Sequence, residues 1–169
     1  MKIEEDVKLD YSDVLIRPKR STLSSRSEVS LERSITFPIS KQNWRGVPII
    51  AANMDTIGTY DVYTVLSTYK IITAFHKFYD VNDYLCMHQK GLDPNFFMVS
   101  TGITEKDYEK LISICSAVDV KFICIDVANG YMEQLVGYAQ CEIDCIYCII
   151  FLFNCLLDEL FENVVEIMQ

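Results

Sequence analysis

The chain has 169 residues, half of them hydrophobic and 23% charged, a balance that fits a globular protein with its own core and excludes a disordered one. A net charge of −9 excludes an ordinary nucleic-acid-binding surface, because phosphate neutralisation needs clustered Lys and Arg. The seven cysteines, odd in number and without disulfide-framework spacing, point to reduced thiols, and the charged start MKIEEDVKLD has no apolar signal region, so a cytoplasmic location is expected.

Up to Arg45 the chain reads as an extended lead-in. Tyr11 to Ile16 alternates loosely, Pro18 stops it, Ser21 to Ser27 is a Ser-rich turn region, and Val29 to Phe37 suits a strand. The basic run Arg17-Pro18-Lys19-Arg20, with Arg26 nearby, fits either a solvated loop or an anion contact.

From Val47 the pattern becomes periodic. Four apolar runs, Pro48–Ala52, Ile71–Phe75, Phe96–Val99 and Phe122–Ile125, are short and almost continuously apolar, as expected of parallel strands buried on both faces. The segments after them, Tyr60–Tyr69, Val81–Lys90, Glu105–Ala117 and Met132–Ala139, suit helices, and Thr104-x-x-Asp107 forms a capping box before the third. The fold class expected is α/β. Consecutive βα units with strand starts 23 to 26 residues apart fit a barrel at least as well as an open sheet.

Polar residues gather where the runs end: Asn53-Met54-Asp55-Thr56, His76-Lys77, Ser100-Thr101-Gly102 and Asp126-Val127-Ala128-Asn129-Gly130. Carboxyl ends of parallel strands are where α/β enzymes carry their chemistry. His76 fits a general base or a hydrogen-bonded packing role, and His88 falls on a helix surface. Cys86 and Cys115 fall on helices and Cys124 inside a strand, where small apolar packing is the usual role. No Gly-x-Gly-x-x-Gly occurs, so Rossmann-type cofactor binding is not expected.

The segments KLDYSDVLIRPKRSTLSSRSEVSLER, GVPIIAANMDTIGT, ITAFHKFYD, VSTGIT and KFICIDVANGY together resemble the GMP reductase family, in one superfamily with IMP dehydrogenase. The resemblance runs from the first residue to about Ala139. It implies a partial (β/α)8 TIM barrel, of about the first four βα units, over residues 1–140. It also implies NADPH-dependent reduction of GMP to IMP with release of ammonia, through thiolate attack on purine C2. Carried over by similarity, Ser25 and Arg26 contact the NADPH end distant from the hydride, and Arg26 suits a 2′-phosphate through its planar fork. Lys77 matches a cofactor-site and catalytic lysine that assists proton movement at the departing amino group. Asp126, Val127 and Ala128 match a segment along the nicotinamide, and Met54 and Asp55 shape the purine pocket. The partners implied are GMP and IMP, with full-length relatives forming a homo-oligomer such as a tetramer, and no metal or nucleic acid.

From Cys141 to Gln169 the character changes to a Cys-, Ile- and Phe-rich tail outside the family pattern. Cys141, Cys145, Cys148 and Cys155 lack paired zinc-site spacing, and Cys145 to Leu157 is short for a membrane span. The preferred reading is frameshift- or intron-derived sequence, with no fifth strand and no Gly-rich nucleophile loop. The chain as written is then expected to be inactive; the alternative is a non-catalytic isoform that associates with full-length subunits.

Overall fold

The computed structural model describes residues 7, 9–37, 40–129, 132–135, 138 and 149–153. The chain divides into two units, Met1–Ser30 and Leu31–Gln169. The first holds two short 3-10 turns, Tyr11–Asp13 and Arg26–Glu28. The extended run expected from Tyr11 is therefore corrected at its start: Asp10 N–H donates to the Asp13 carboxylate at 2.9 Å, a local bond that favours a turn.

The second unit begins with an antiparallel hairpin, β1 (Arg33–Thr36) and β2 (Asn43–Gly46). A parallel sheet follows in sequence order: β3 (Ile50–Ala51), β4 (Ile72–Ala74), β5 (Phe97–Thr101), β6 (Phe122–Asp126) and β7 (Ile149–Phe153). Helices α1 (Tyr60–Leu66), α2 (Val81–Gln89) and α3 (Glu105–Ala117) connect its first four strands. All sheet pairs are parallel, as βα units dictate.

The expectation that no fifth strand follows is corrected. Ile149–Phe153 pairs with β6 along its whole length, from Phe122 opposite Ile149 to Asp126 opposite Phe153. The run Ile-Ile-Phe-Leu-Phe is the continuous apolar signature of a strand, and β6 offers it a ladder of unpaired backbone groups. Within the stretch weighed as a membrane anchor, Ile149–Phe153 is thus strand. No helix among the described residues is long and apolar enough to cross a membrane. The tail cysteines lie outside the described residues, as does Gly130. Of the fourth expected helix, residues 133–135 and 138 are helical.

Alternation along the strands builds two cores. Phe75, Phe97, Val99, Ile123 and Ile125 face the helices and pack with Tyr63, Tyr84, Leu111 and Ile114. Phe75 is the hub, with Tyr63, Tyr79, Tyr84 and Phe97 at ring-centroid distances from 5.6 to 5.9 Å. Burying each such ring contributes roughly 1.5–3 kcal/mol. On the opposite face Ile72, Ala74, Met98, Phe122 and Cys124 pack around Trp44 of the hairpin. The Trp44 indole N–H donates to the Asn95 carbonyl at 2.9 Å, two residues before β5 starts, so the hairpin covers the amino-terminal end of the strands. Their carboxyl-terminal ends remain for the polar clusters.

Candidate functional site

Each strand end is held by local bonds that the sequence supplies. After β3 the chain turns tightly: the N–H groups of Ile57 and Gly58 both donate to the Met54 carbonyl, at 2.9 and 2.7 Å. Gly58 then runs against β4, where its carbonyl accepts from His76 N–H at 2.9 Å. A Cβ at Gly58 would stand 2.4 Å from the Ala74 carbonyl oxygen and 2.8 Å from His76 N, so only glycine fits. This turn leaves Met54 57% exposed and Asp55 exposed, both at the carboxyl end of the sheet.

Lys77 follows β4 with its side chain exposed. Its carbonyl accepts from Lys110 Nζ of α3 at 2.6 Å, which ties the β4 end to the neighbouring unit. Next to it the His76 ring stacks on Tyr79 at 4.0 Å, and Tyr79 Oη accepts from Tyr60 N–H at 3.1 Å. His76 Nδ1 is buried without a hydrogen-bond partner.

At the end of β5, Ser100 is buried, and α3 starts at once through a reciprocal capping box. Asp107 N–H donates to Thr104 Oγ1 at 3.3 Å, while Thr104 N–H donates to Asp107 Oδ2 at 3.1 Å. Lys77, Ser100, Thr101, Asp107 and Lys110 line one small cleft between the β4 and β5 ends and α3. Asp126 closes β6 half-buried, on the strand face that carries Phe122 and Cys124. Val127 turns the other way and packs in the helix-side core, and Ala128 is exposed.

The structure therefore brings Met54, Asp55, Lys77 and Asp126 to one end of one sheet. Ser25 and Arg26 belong to the first unit, where the Ser25 hydroxyl accepts from Ser27 N–H at 3.3 Å and Arg26 is exposed. Sequence reasoning missed Gly58, whose only signal was a glycine inside Asn-Met-Asp-Thr-Ile-Gly, and it left Ser100 without a role.

Three cysteines fall among the described residues, and none suits a nucleophile. Cys86 and Cys115 lie on α2 and α3. Cys124 is fully buried, and burial pushes its thiol up to about 12, with the nearby Ser100 hydroxyl opposing only partly. Among the described residues no group of three His, Cys, Asp or Glu side chains is placed to hold a metal ion.

No protein-family model matches the sequence. Curated relatives do: the chain is 51% identical over 143 residues to the GMP reductases of Citrobacter koseri and Yersinia pestis, a match spanning 83% of the chain and 41% of each relative. The chain thus spans about two-fifths of the length of the relatives it matches. Among solved structures it shares its fold with the inosine 5′-monophosphate dehydrogenase of Legionella pneumophila, at TM-score 0.69 and 24% identity, covering 85% of this chain and 43% of that one. Over the 143 residues matched, about two-fifths of each relative, the chain is similar to the GMP reductases, and it shares the fold of the inosine 5′-monophosphate dehydrogenase.

Proposed function

We propose that the β3–β6 strand ends form the nucleotide-facing part of a GMP reductase site, built on an arc of a (β/α)8 barrel. The reaction is the NADPH-dependent reductive deamination of GMP to IMP with release of ammonia. The observation that carries this reading is the convergence of Lys77, Ser100, Asp126 and the Met54–Asp55 turn on one end of a parallel sheet. The 51% identity to GMP reductases supports the reaction class.

The residues present suit a nicotinamide nucleotide: an exposed cation at Lys77, a half-buried carboxylate at Asp126, and two buried polar atoms lacking partners, His76 Nδ1 and Ser100 Oγ. When bound, NADPH would supply the hydride. Lys77 Nζ holds a proton at the departing amino group, and Asp126 with the Val127 and Ala128 backbone orients the ring. Arg26 and Ser25 contact the distant phosphate-bearing end. Met54 and Asp55 border the purine. A cysteine set without disulfide-framework spacing fits the reducing cytoplasm.

The chain as written binds nucleotide without turning it over. Cys124, the one described cysteine on the site's sheet, is sealed and held as a neutral thiol. The test is NADPH consumption by the purified chain in the presence of GMP. No GMP-dependent consumption is expected, and sustained turnover would overturn this half of the reading.

A further inference from the structure

Three side-chain polar atoms among the described residues are buried without a hydrogen-bond partner: Thr73 Oγ1, His76 Nδ1 and Ser100 Oγ. Native structures satisfy most such groups, so each exception calls for a partner, whether an ordered water or a ligand. Thr73 lies inside β4, within the packed sheet. The other two differ from it in position.

Ala74 of β4 pairs with Met98 of β5, and Phe75 N–H donates to the Met98 carbonyl at 3.0 Å. His76 lies two residues past Ala74, just beyond the end of β4, and Ser100 lies two residues past Met98 within β5, so both stand at the carboxyl end of two paired strands. Ser100 is only 7% exposed and lines the same cleft as Lys77. Its hydroxyl lies near the Cys124 thiol yet forms no well-aligned hydrogen bond. The His76 ring is fixed by its 4.0 Å stack on Tyr79, so its nitrogen has a set direction. Phe78 flanks that ring at 5.7 Å and is 64% exposed, which makes it the wall able to yield to a ligand.

We infer that His76 and Ser100 are specificity-determining residues that together receive the planar amide edge of the nucleotide ligand. With its proton on Nε2, the His76 imidazole accepts an N–H at Nδ1, while the Ser100 hydroxyl donates to the adjoining carbonyl. Guanine and the nicotinamide carboxamide both present such an edge. This inference rests on the nucleotide-site reading above and adds residues to it.

The test is calorimetric titration of the full chain with GMP and, separately, with NADPH. His76→Phe keeps the ring for stacking and removes the nitrogen; His76→Asn keeps a polar group near Nδ1 and loses the ring; Ser100→Ala removes the hydroxyl. Affinity for one of the two nucleotides should fall about tenfold in His76→Phe and in Ser100→Ala, with His76→Asn intermediate, and the nucleotide affected identifies the source of the edge. A merely structural histidine gives the reverse order, with Phe milder than Asn, and overturns the inference. So does a wild-type affinity retained by Ser100→Ala, which decides the matter if the His76 variants do not fold. A wild-type chain that binds neither nucleotide overturns the site reading itself, and this inference with it.

Discussion

The His76 N–H donates to the Gly58 carbonyl at 2.9 Å, and that bond ties the turn carrying Met54 and Asp55 to the strand end carrying Lys77. Two strand ends are thereby held in one register by backbone alone. The arrangement depends on the missing side chain at residue 58, because both atoms a Cβ would meet first belong to backbone that cannot swing aside.

Gly58→Ala should therefore destabilise the fold by about 1–3 kcal/mol, the usual range for overpacking. Trp44 is the only tryptophan in the chain and is buried against the sheet, so its fluorescence follows unfolding. Denaturant melts of the two proteins measure the difference; equal midpoints and slopes would show that the turn is free to move.

Thr104→Ala should cost about 1 kcal/mol, since it removes the acceptor for Asp107 N–H at the start of α3. Thr104→Ser should be nearly neutral. Asp107→Ala is expected to cost at least as much as Thr104→Ala, because the same carboxylate accepts from Thr104 N–H at 3.1 Å and from Thr104 Oγ1 at 2.7 Å.

Much of this was legible in the sequence, and the reasons are specific. α3 has the bounds that its apolar period and capping box predict, and β4, β5 and β6 fall within one residue or two of their apolar runs. β2 was not legible: Asn43–Gly46 has a single large apolar residue, and the strand forms because Trp44 buries itself against a core built from later residues. The Asp80–Asp83 capping box of α2 was not legible because its cap is Asp, where the usual motif has Ser or Thr. Lys77 and Asp126 could be read as strand-end residues. That Val127 packs with the helices while Asp126 falls on the strand face of Phe122 and Cys124 follows from strand parity, which a motif does not state.

Cys124 should resist thiol reagents in the folded chain at mildly alkaline pH while exposed Cys86 reacts, and both should react after unfolding. Its folded thiol is pushed to about 12 from an ordinary 9.0. Below that ordinary value both states keep the proton, and the burial of a neutral thiol contributes in full. As pH rises from there toward 12 the unfolded thiol ionises first, so stability falls. Cys124→Ala should flatten this alkaline limb of the stability profile.

Glu32 behaves in the opposite sense. Its hydrogen bond from Lys70 Nζ at 2.7 Å holds its carboxyl below the ordinary range against the opposing effect of burial, with Arg45 Nε at 3.0 Å adding to the lowering. The contribution is present above the ordinary carboxylate value and is lost as pH falls below it. Glu32→Gln should shift the melt slightly at neutral pH, less in high salt, and not at all in acid. A shift that grows on acidification would contradict the ion pair.

Titrating the full chain with NADPH, read by nicotinamide fluorescence, addresses the proposed site most directly. The wild-type chain should give a saturable change that weakens about tenfold or more in Lys77→Ala, the loss of one charge-assisted contact. A chain that leaves the fluorescence unchanged, or a Lys77→Ala variant that binds as tightly as wild type, would show that these strand ends do not form the cofactor site.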